Sequence, residues 1–191
     1  MKNAAPVIKG MNVILRKPKD SDIFDYLEVQ VSKELIRMYG GNTKRIGSKT
    51  LEKAQKFIQS IRENELEWCV EYEGKMIGQA RLTVNDGDNR ARYAIGIFDP
   101  SVWGKGLGTE ITQLVLHYAF EELNLHRVDL RVLEYNKRAI KCYEKCGFVK
   151  EGVEREGALI EGKYETDVFM SILDREYYEI KEKFIKMILL S

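Results

Sequence analysis

The chain has few of the residues that bind metals or form disulfides: three cysteines and two histidines. An odd number of cysteines leaves at least one thiol unpaired. Cys142 and Cys146 stand four apart in a helical pattern that does not suit a disulfide, and Cys69 is distant from both in sequence. His117 and His126 share no ligand spacing with these cysteines. We therefore expect reduced cysteines and no metal site.

Neither sign of charge is in excess, since 31 lysines and arginines face 30 aspartates and glutamates. Such a balance gives no net field that would gather nucleic acid. The chain also lacks an apolar stretch of signal-peptide length at its start and any run near the roughly 20 apolar residues of a membrane span. No linker rich in Pro, Gly or Ser divides the 191 residues. We expect one cytoplasmic domain, with neither nucleic acid nor membrane as a partner.

What the sequence does have is a segment with three alternating glycines, Gly104, Gly106 and Gly108. Glycine permits positive φ and leaves the backbone open, so successive N–H groups can point at one anion. Lys105 adds a positive charge, and a helix starting near Thr109 adds free N–H groups and the positive end of its dipole. The segment predicts a pyrophosphate site, with a plain flexible turn as the alternative. It matches neither the P-loop nor the dinucleotide fingerprint, because the glycine and lysine spacings differ.

The spacing of apolar residues predicts a sheet whose strands alternate with helices. The predicted elements are strand 13–16, helix 22–32, helix 50–64, strands 68–72, 76–84 and 91–98, helix 109–123, strand 128–132, helix 136–146 and a final hairpin of 148–156 with 164–173. The glycine segment thus joins the third strand of an antiparallel meander to a helix. A C-terminal amphipathic helix places Tyr177, Ile180, Phe184 and Ile188 on one face, which we expect to pack on the domain or on a second copy of the chain.

A second motif lies downstream of the glycine segment, over residues 136–148, and reads Asn-x-x-Ala-x-x-x-Tyr-x-x-x-Gly-Phe. The two motifs together resemble the Gcn5-related N-acetyltransferases (GNAT), in particular the branch of ribosomal-protein N-terminal and spermidine acetyltransferases. The resemblance covers residues 11–175 and leaves 176–191 as the C-terminal helix. It implies a single α+β domain with a mixed, largely antiparallel twisted sheet of about six or seven strands, helices on both faces and splayed central strands. We also expect a homodimer.

The resemblance implies acetyl-coenzyme A as donor, with its pyrophosphate on the main chain of Trp103, Gly104, Lys105, Gly106, Leu107, Gly108 and Thr109. The strand before this loop, around Ile97 and Phe98, would pair with the pantetheine arm. Asn136 would contact the same arm, although its position also suits a plain helix cap. The Tyr143 phenol would point at the sulfur as general acid or thiolate stabiliser, although a core aromatic is the alternative.

The resemblance leaves the general base open. Many relatives carry a glutamate on the strand before the loop, at the position of Tyr93. Glu71, Asp99 or an ordered water is expected to substitute, and Glu110 is a weaker candidate because an acid in the first turn of a helix serves the dipole. The expected acceptor is a small-molecule or peptide amine, namely a polyamine, an aminoglycoside or amino sugar, or a protein N-terminus. The missing glutamate keeps a second hypothesis, a non-catalytic acyl-coenzyme A binding module.

Overall fold

An eight-stranded sheet is the centre of this computed structural model, which describes residues 5–45, 47, 49–182 and 184. Its strands are β1 Ile8–Lys9, β2 Val13–Arg16, β3 Glu67–Tyr72, β4 Lys75–Asn85, β5 Arg90–Ile97, β6 Arg127–Leu133, β7 Val149–Ile160 and β8 Lys163–Leu173. The sheet order is β1-β2-β3-β4-β5-β6-β8-β7. One strand more than the predicted maximum is present, because a tight turn with a Gly10 N–H to Val13 carbonyl bond folds the short β1 onto β2.

Helices cover both faces of the sheet, as the resemblance implies. They are α1 Asp22–Glu28, α2 Lys33–Met38, α3 Leu51–Glu63, α4 Leu107–His117, α5 Lys137–Lys145 and α6 Asp174–Ile180. The main core lies between the sheet and the α4, α5 and α6 side, and a smaller cluster forms where Ile58 and Ile61 of α3 meet Cys69 and Met76. None of the helices in the described ranges is long and apolar enough to cross a membrane.

The predicted helix over residues 22–32 is wrong at its C-terminal end. Helix α1 ends at Glu28, because Val29 takes an extended conformation with φ −62° and ψ 120°. Ser32 then accepts a hydrogen bond from the Leu35 N–H at 3.0 Å and starts the separate helix α2. The sequence pattern places Ser32 at the end of the first helix, whereas in the structure Ser32 caps the start of α2.

The two central strands pair only at one end. Strands β5 and β6 are the one parallel pair among the strands that the structure describes, and their register covers residues 90–92 against 127–129. Every other neighbouring pair among the described strands is antiparallel. Beyond Arg92 and Asp129 the two strands separate, so the gap between them runs toward Ile97 and Leu133. The splay that the resemblance implies is therefore present.

The C-terminal helix packs against its own domain. The ring of Tyr177 is fully buried and stacks on Phe120, with ring centroids 4.9 Å apart. Phe184 is buried in the same core. The predicted apolar face also includes Ile188, which lies outside the described residues.

Candidate functional site

The glycine segment forms the turn that leads from β5 into α4. Gly104 and Gly106 have φ values of 79° and 83°, in the left-handed region that glycine adopts without strain. A Cβ added at either position would have no heavy atom within 4 Å. Gly108 differs, because a Cβ there would lie 3.5 Å from the Cys142 sulfur. The turn therefore needs its first two glycines for the backbone path and leaves open space beside them.

This turn presents main-chain N–H groups that have no partner. Across the described residues, nothing accepts a hydrogen bond from the N–H groups of residues 104–108. The sequence also predicts phosphate contacts for Trp103 and Thr109, but their N–H groups are bonded to the carbonyls of Pro100 at 3.1 Å and Gly106 at 3.0 Å. The candidate anion site thus narrows to five consecutive N–H groups, residues 104 to 108, at the N-terminus of α4.

The turn forms one wall of a cavity of about 710 Å³. The remaining walls come from the turn after α2, the separated ends of β5 and β6, helix α5 and the β7–β8 hairpin. The predicted site residues that line it are Ile97, Trp103, Gly104, Gly106, Leu107, Gly108, Thr109, Asn136 and Tyr143. The structure therefore brings most of the two sequence motifs to one cavity.

The structure does not bring Phe98 and Lys105 to this cavity. The Phe98 ring packs on the opposite face of the sheet, 5.7 Å from Tyr26 and 5.6 Å from Phe57 between centroids. Its N–H donates to the Ile77 carbonyl of β4 at 2.8 Å. Successive residues along an extended chain point their side chains to opposite faces, so Ile97 and Phe98 cannot both face the cavity. The Lys105 ammonium lies 5.6 Å from the ring centroid of Tyr72.

The carbonyl of Ile97 already has two donors. The Tyr39 hydroxyl donates to it at 3.2 Å and the Trp103 indole N–H donates at 3.0 Å. The Arg138 guanidinium lies 3.6 Å from the centroid of the Trp103 ring. Sequence reasoning missed Tyr39 and Arg138. Arg138 could have been found, since it stands two residues after Asn136 in the second motif, whereas nothing in the sequence linked Tyr39 to the loop.

Asn136 caps helix α5 and also ties it to α2. Its Oδ1 accepts the Ala139 N–H at 3.2 Å, and its Nδ2 donates to the Met38 carbonyl at 3.3 Å. The helix-cap interpretation is therefore confirmed. The side chain is buried at the cavity wall, with both ends of its amide hydrogen-bonded.

The hydroxyl of Tyr143 makes no hydrogen bond to any described residue. The side chain is buried, its ring packs edge-on against Tyr93 at 6.4 Å, and it lines the cavity. Burial raises the pKa of this hydroxyl well above its ordinary value. A phenol that stays protonated and has no partner is suited to donate a proton to a ligand atom.

Tyr93 differs from Tyr143, although the two rings touch. The Tyr93 hydroxyl is bonded to the Thr112 hydroxyl at 3.0 Å, and burial holds the pKa of Tyr93 well above its usual value. At the strand position where the resemblance implies a glutamate, this chain therefore has a hydrogen-bonded core residue. Tyr93 does not supply a base.

The three carboxylates considered as bases do not line the cavity either. Glu71 hydrogen-bonds to Arg16, which lowers the pKa of Glu71, and Lys19 lies 3.0 Å from the same carboxylate. Asp99 accepts the Ser101 N–H at 2.9 Å and starts the turn before the glycines. Glu110 accepts bonds from the Asn12 main chain and side chain, both at 2.8 Å, and from the Val13 N–H at 3.2 Å. Each carboxylate has a structural partner away from the cavity.

Positive charge and a thiol also face the cavity. Arg138, Lys141 and Lys145 of α5 line it on the side of the glycine turn. Cys142 lines it as well, and a hydrogen bond from Cys146 lowers the pKa of the Cys142 thiol to about 7.

All three cysteines are free, as the sequence predicts. Within the described part of the chain, no group of His, Cys, Asp and Glu side chains could hold a metal ion.

Comparison with known proteins points to one family. The sequence matches the family model of the acetyltransferase (GNAT) domain over residues 12–149. It is 34% identical over 116 residues to spermidine N(1)-acetyltransferase of Escherichia coli (strain K12), which is 60% of this chain and 62% of that protein. The aligned region therefore spans about three fifths of the length of this curated relative.

Solved structures agree with this match. Spermidine N-acetyltransferase from Vibrio cholerae, in complex with CoA and spermine, has a TM-score of 0.72 and 26% identity, covering 87% of this chain and 98% of that one. An acetyltransferase (GNAT family) from Bacillus anthracis has a TM-score of 0.76 and 20% identity, covering 89% and 99%. The second similarity, at that identity, concerns the fold.

Proposed function

Because this chain belongs to the acetyltransferase (GNAT) family, we propose that it transfers the acetyl group of acetyl-coenzyme A to a primary amine within a ternary complex. One observation carries the proposal. The unpartnered N–H groups of residues 104–108 lie in one turn, four of whose residues, Gly104, Gly106, Leu107 and Gly108, border the same cavity as the unpartnered hydroxyl of Tyr143. A diphosphate needs the first feature and a leaving thiolate needs the second.

The residues at the glycine turn fit the diphosphate of coenzyme A. Consecutive free N–H groups at a helix N-terminus bind phosphate oxygens, and the helix dipole favours the negative charge. Open space beside Gly104 and Gly106 leaves room for the phosphates. Lys141 and Lys145 supply positive charge from the facing helix. In this proposal the pantetheine arm follows the free edge of β5 toward Ile97.

The chemistry divides between the donor and the residues of this chain. When bound, acetyl-coenzyme A supplies a thioester whose thiol has a pKa near 8.5, an easily displaced leaving group. Tyr143 holds a proton at its hydroxyl oxygen and delivers it to the departing sulfur, a contribution of about 10²- to 10⁴-fold. The remaining barrier lies at the amine, because an alkylamine of pKa near 10.4 is only about 0.04% neutral at pH 7, which costs about 5 kcal/mol.

The proposed acceptor is a polyamine. Two of the compared proteins carry spermidine in their names, and one of these was solved with spermine. Aminoglycosides or amino sugars, and protein N-termini, are the alternatives. The expected homodimer is part of the proposal, and light scattering on the same preparation tests it.

Thiol release from acetyl-coenzyme A tests the function directly. Spermidine, spermine, kanamycin and a short peptide with a free N-terminus serve as acceptors, and mass spectrometry of the acceptor identifies the acetylated product. We expect amine-dependent release, strongest with a polyamine. Tight binding of acetyl-coenzyme A with no release for any of these amines would instead support a binding module.

A further inference from the structure

Asp167 is the one carboxylate among the described residues that line the cavity. It lies on β8, opposite Leu133 of β6 and Glu154 of β7. Only 3% of the residue is exposed. Nothing in the sequence marks this aspartate, since it lies outside both motifs.

The carboxylate of Asp167 is buried without a hydrogen-bond donor. Its Oδ2 has no hydrogen-bond partner among the described residues. The Arg131 Nη2 atom lies 3.0 Å from it but lacks the geometry of a hydrogen bond. Buried carboxylate oxygens in folded proteins have donors, because leaving one without a donor is costly. Asp167 lines the cavity, so a ligand that displaces Arg131 is placed to provide a donor to this carboxylate.

The position of Asp167 places it opposite the candidate acid. Val168 and Met170 share one face of β8 and are buried in the core that also contains Tyr143. Asp167 therefore lies on the other face of the sheet. That face is closed by the end of α2, since a Cβ added at Gly40 would lie 3.2 Å from Leu133. A nucleophile that enters the gap between β5 and β6 opposite Tyr143 passes Asp167.

We propose that Asp167 binds the ammonium group of the acceptor and takes its proton before the nitrogen attacks the thioester. This inference rests on the proposed function. The ligand is a primary alkylammonium, whose three N–H donors match an acceptor-only carboxylate. Arg131 is the competing cation. Its side chain is 44% exposed and also contacts Glu154 at 3.2 Å, so it has an alternative partner when the ammonium arrives.

The ammonium transfers one proton to the Asp167 carboxylate, and the resulting amine nitrogen forms a C–N bond to the thioester carbonyl carbon. The C–S bond breaks with its electron pair on sulfur, and Tyr143 protonates that sulfur. The attacking nitrogen loses its second proton, which restores the Tyr143 hydroxyl. Asp167 returns its proton to solvent, so the reaction releases one proton in total.

The charged surroundings of Asp167 favour proton uptake. Burial raises the pKa of this carboxyl, while Arg131 opposes the shift and Glu154 supports it. Tyr135 also lies within electrostatic range, because the Asp167 charge contributes to the raised pKa of Tyr135. Arg37 affects the same tyrosine in the opposite direction.

Asp167→Asn, measured with spermidine as acceptor, tests the inference. We expect kcat/KM for spermidine to fall about 10²-fold or more, because the amide neither pairs with an ammonium nor accepts its proton. Acetyl-coenzyme A affinity, measured by calorimetry, is expected to stay within about twofold, which also verifies that the variant folds. Glu151→Gln is the matched control, since Glu151 is a carboxylate of β7 that pairs with Arg127 and does not line the cavity. Its kcat/KM is expected to change by less than about threefold, as for an exposed ion pair.

The pH profile separates a chemical role from a structural one. In the wild type, kcat/KM for spermidine is expected to fall at acidic pH, where Asp167 becomes protonated. This acidic limb is expected to be absent from Asp167→Asn, and Asp167→Glu is expected to restore part of the activity. A wild type that releases thiol while Asp167→Asn retains full kcat/KM would overturn this inference and leave the proposed function intact. A wild type that releases no thiol with any amine would remove both.

Discussion

The Tyr39 hydroxyl donates a hydrogen bond to the carbonyl of Ile97 at 3.2 Å and so joins the end of α2 to the free edge of β5. The Trp103 indole N–H donates to the same oxygen at 3.0 Å. A carbonyl oxygen has two lone pairs. The last carbonyl of β5, at the position where the pantetheine arm is proposed to pair, is therefore fully occupied in this structure. One of the two donors has to leave when an amide of the arm binds there.

Replacing Tyr39 by Phe tests this competition. The variant loses one donor to Ile97 and no packing volume, so an incoming amide displaces nothing on that side. We expect the affinity for acetyl-coenzyme A to increase by about two- to fivefold, the equivalent of one neutral hydrogen bond. Calorimetric titration measures it. A weaker affinity would mean that Tyr39 holds the cavity in its binding shape.

Replacing Tyr143 by Phe removes the proposed proton donor. We expect kcat to fall about 10²- to 10⁴-fold, with acetyl-coenzyme A affinity within about twofold of the wild type. Tyr93→Phe is the matched control, because Tyr93 is an adjacent buried tyrosine whose hydroxyl is bonded to Thr112. It is expected to lower stability by about 1 kcal/mol and to keep its turnover. A large loss of affinity in Tyr143→Phe would mean that the phenol binds the donor rather than protonating it.

Asp22 supports the fold from the opposite side of the sheet and gives it a dependence on pH. Burial alone would raise the pKa of Asp22, but hydrogen bonds from the Arg16 guanidinium at 2.8 and 2.7 Å and from the Lys19 N–H outweigh burial and lower it. A lowered carboxyl pKa stabilises the folded state above the unfolded pKa, and that contribution is lost as pH falls through the folded pKa.

We therefore expect Asp22→Asn to reduce the free energy of unfolding at pH 7 by about 3 kcal/mol, because it leaves the buried Arg16 with one partner fewer. The difference from the wild type shrinks below about pH 4. Urea denaturation at pH 7 and below about pH 4 measures this difference in the free energy of unfolding. Asp20→Asn is the control, since its side chain is 91% exposed in its pair with Arg62. Equal losses in the two variants would contradict the assignment.

The sequence predicted the parts of this protein that depend on local pattern. The meander, the glycine turn and the cap at Asn136 follow from period-two alternation, from glycine spacing and from the side chain that starts a helix. Helix α2 was missed because Ser32 fits both the end of one helix and the start of the next. The short strand β1 has too few residues for a period to be visible.

The site was predictable where one segment supplies it and not where distant segments meet. The loop and Tyr143 come from two motifs, and both line the cavity. The prediction for Phe98 was wrong because Ile97 and Phe98 were both assigned to the cavity, although successive residues of an extended chain face opposite sides. Tyr39 and Asp167 reach the cavity from α2 and β8, and no spacing in the sequence connects them with the loop. The base candidates failed for the same reason, since their partners are remote in sequence.

The central claim is that main-chain N–H groups of residues 104–108 hold the diphosphate of acetyl-coenzyme A. Calorimetric titration of acetyl-coenzyme A into Gly106→Asp and Gly74→Asp tests it most directly. Both glycines have positive φ, of 83° and 78°, with open space for a side chain, so both variants bear a similar backbone cost of about 1–2 kcal/mol. We predict that Gly106→Asp abolishes binding and that Gly74→Asp binds like the wild type. Wild-type affinity in a folded Gly106→Asp variant would contradict the account.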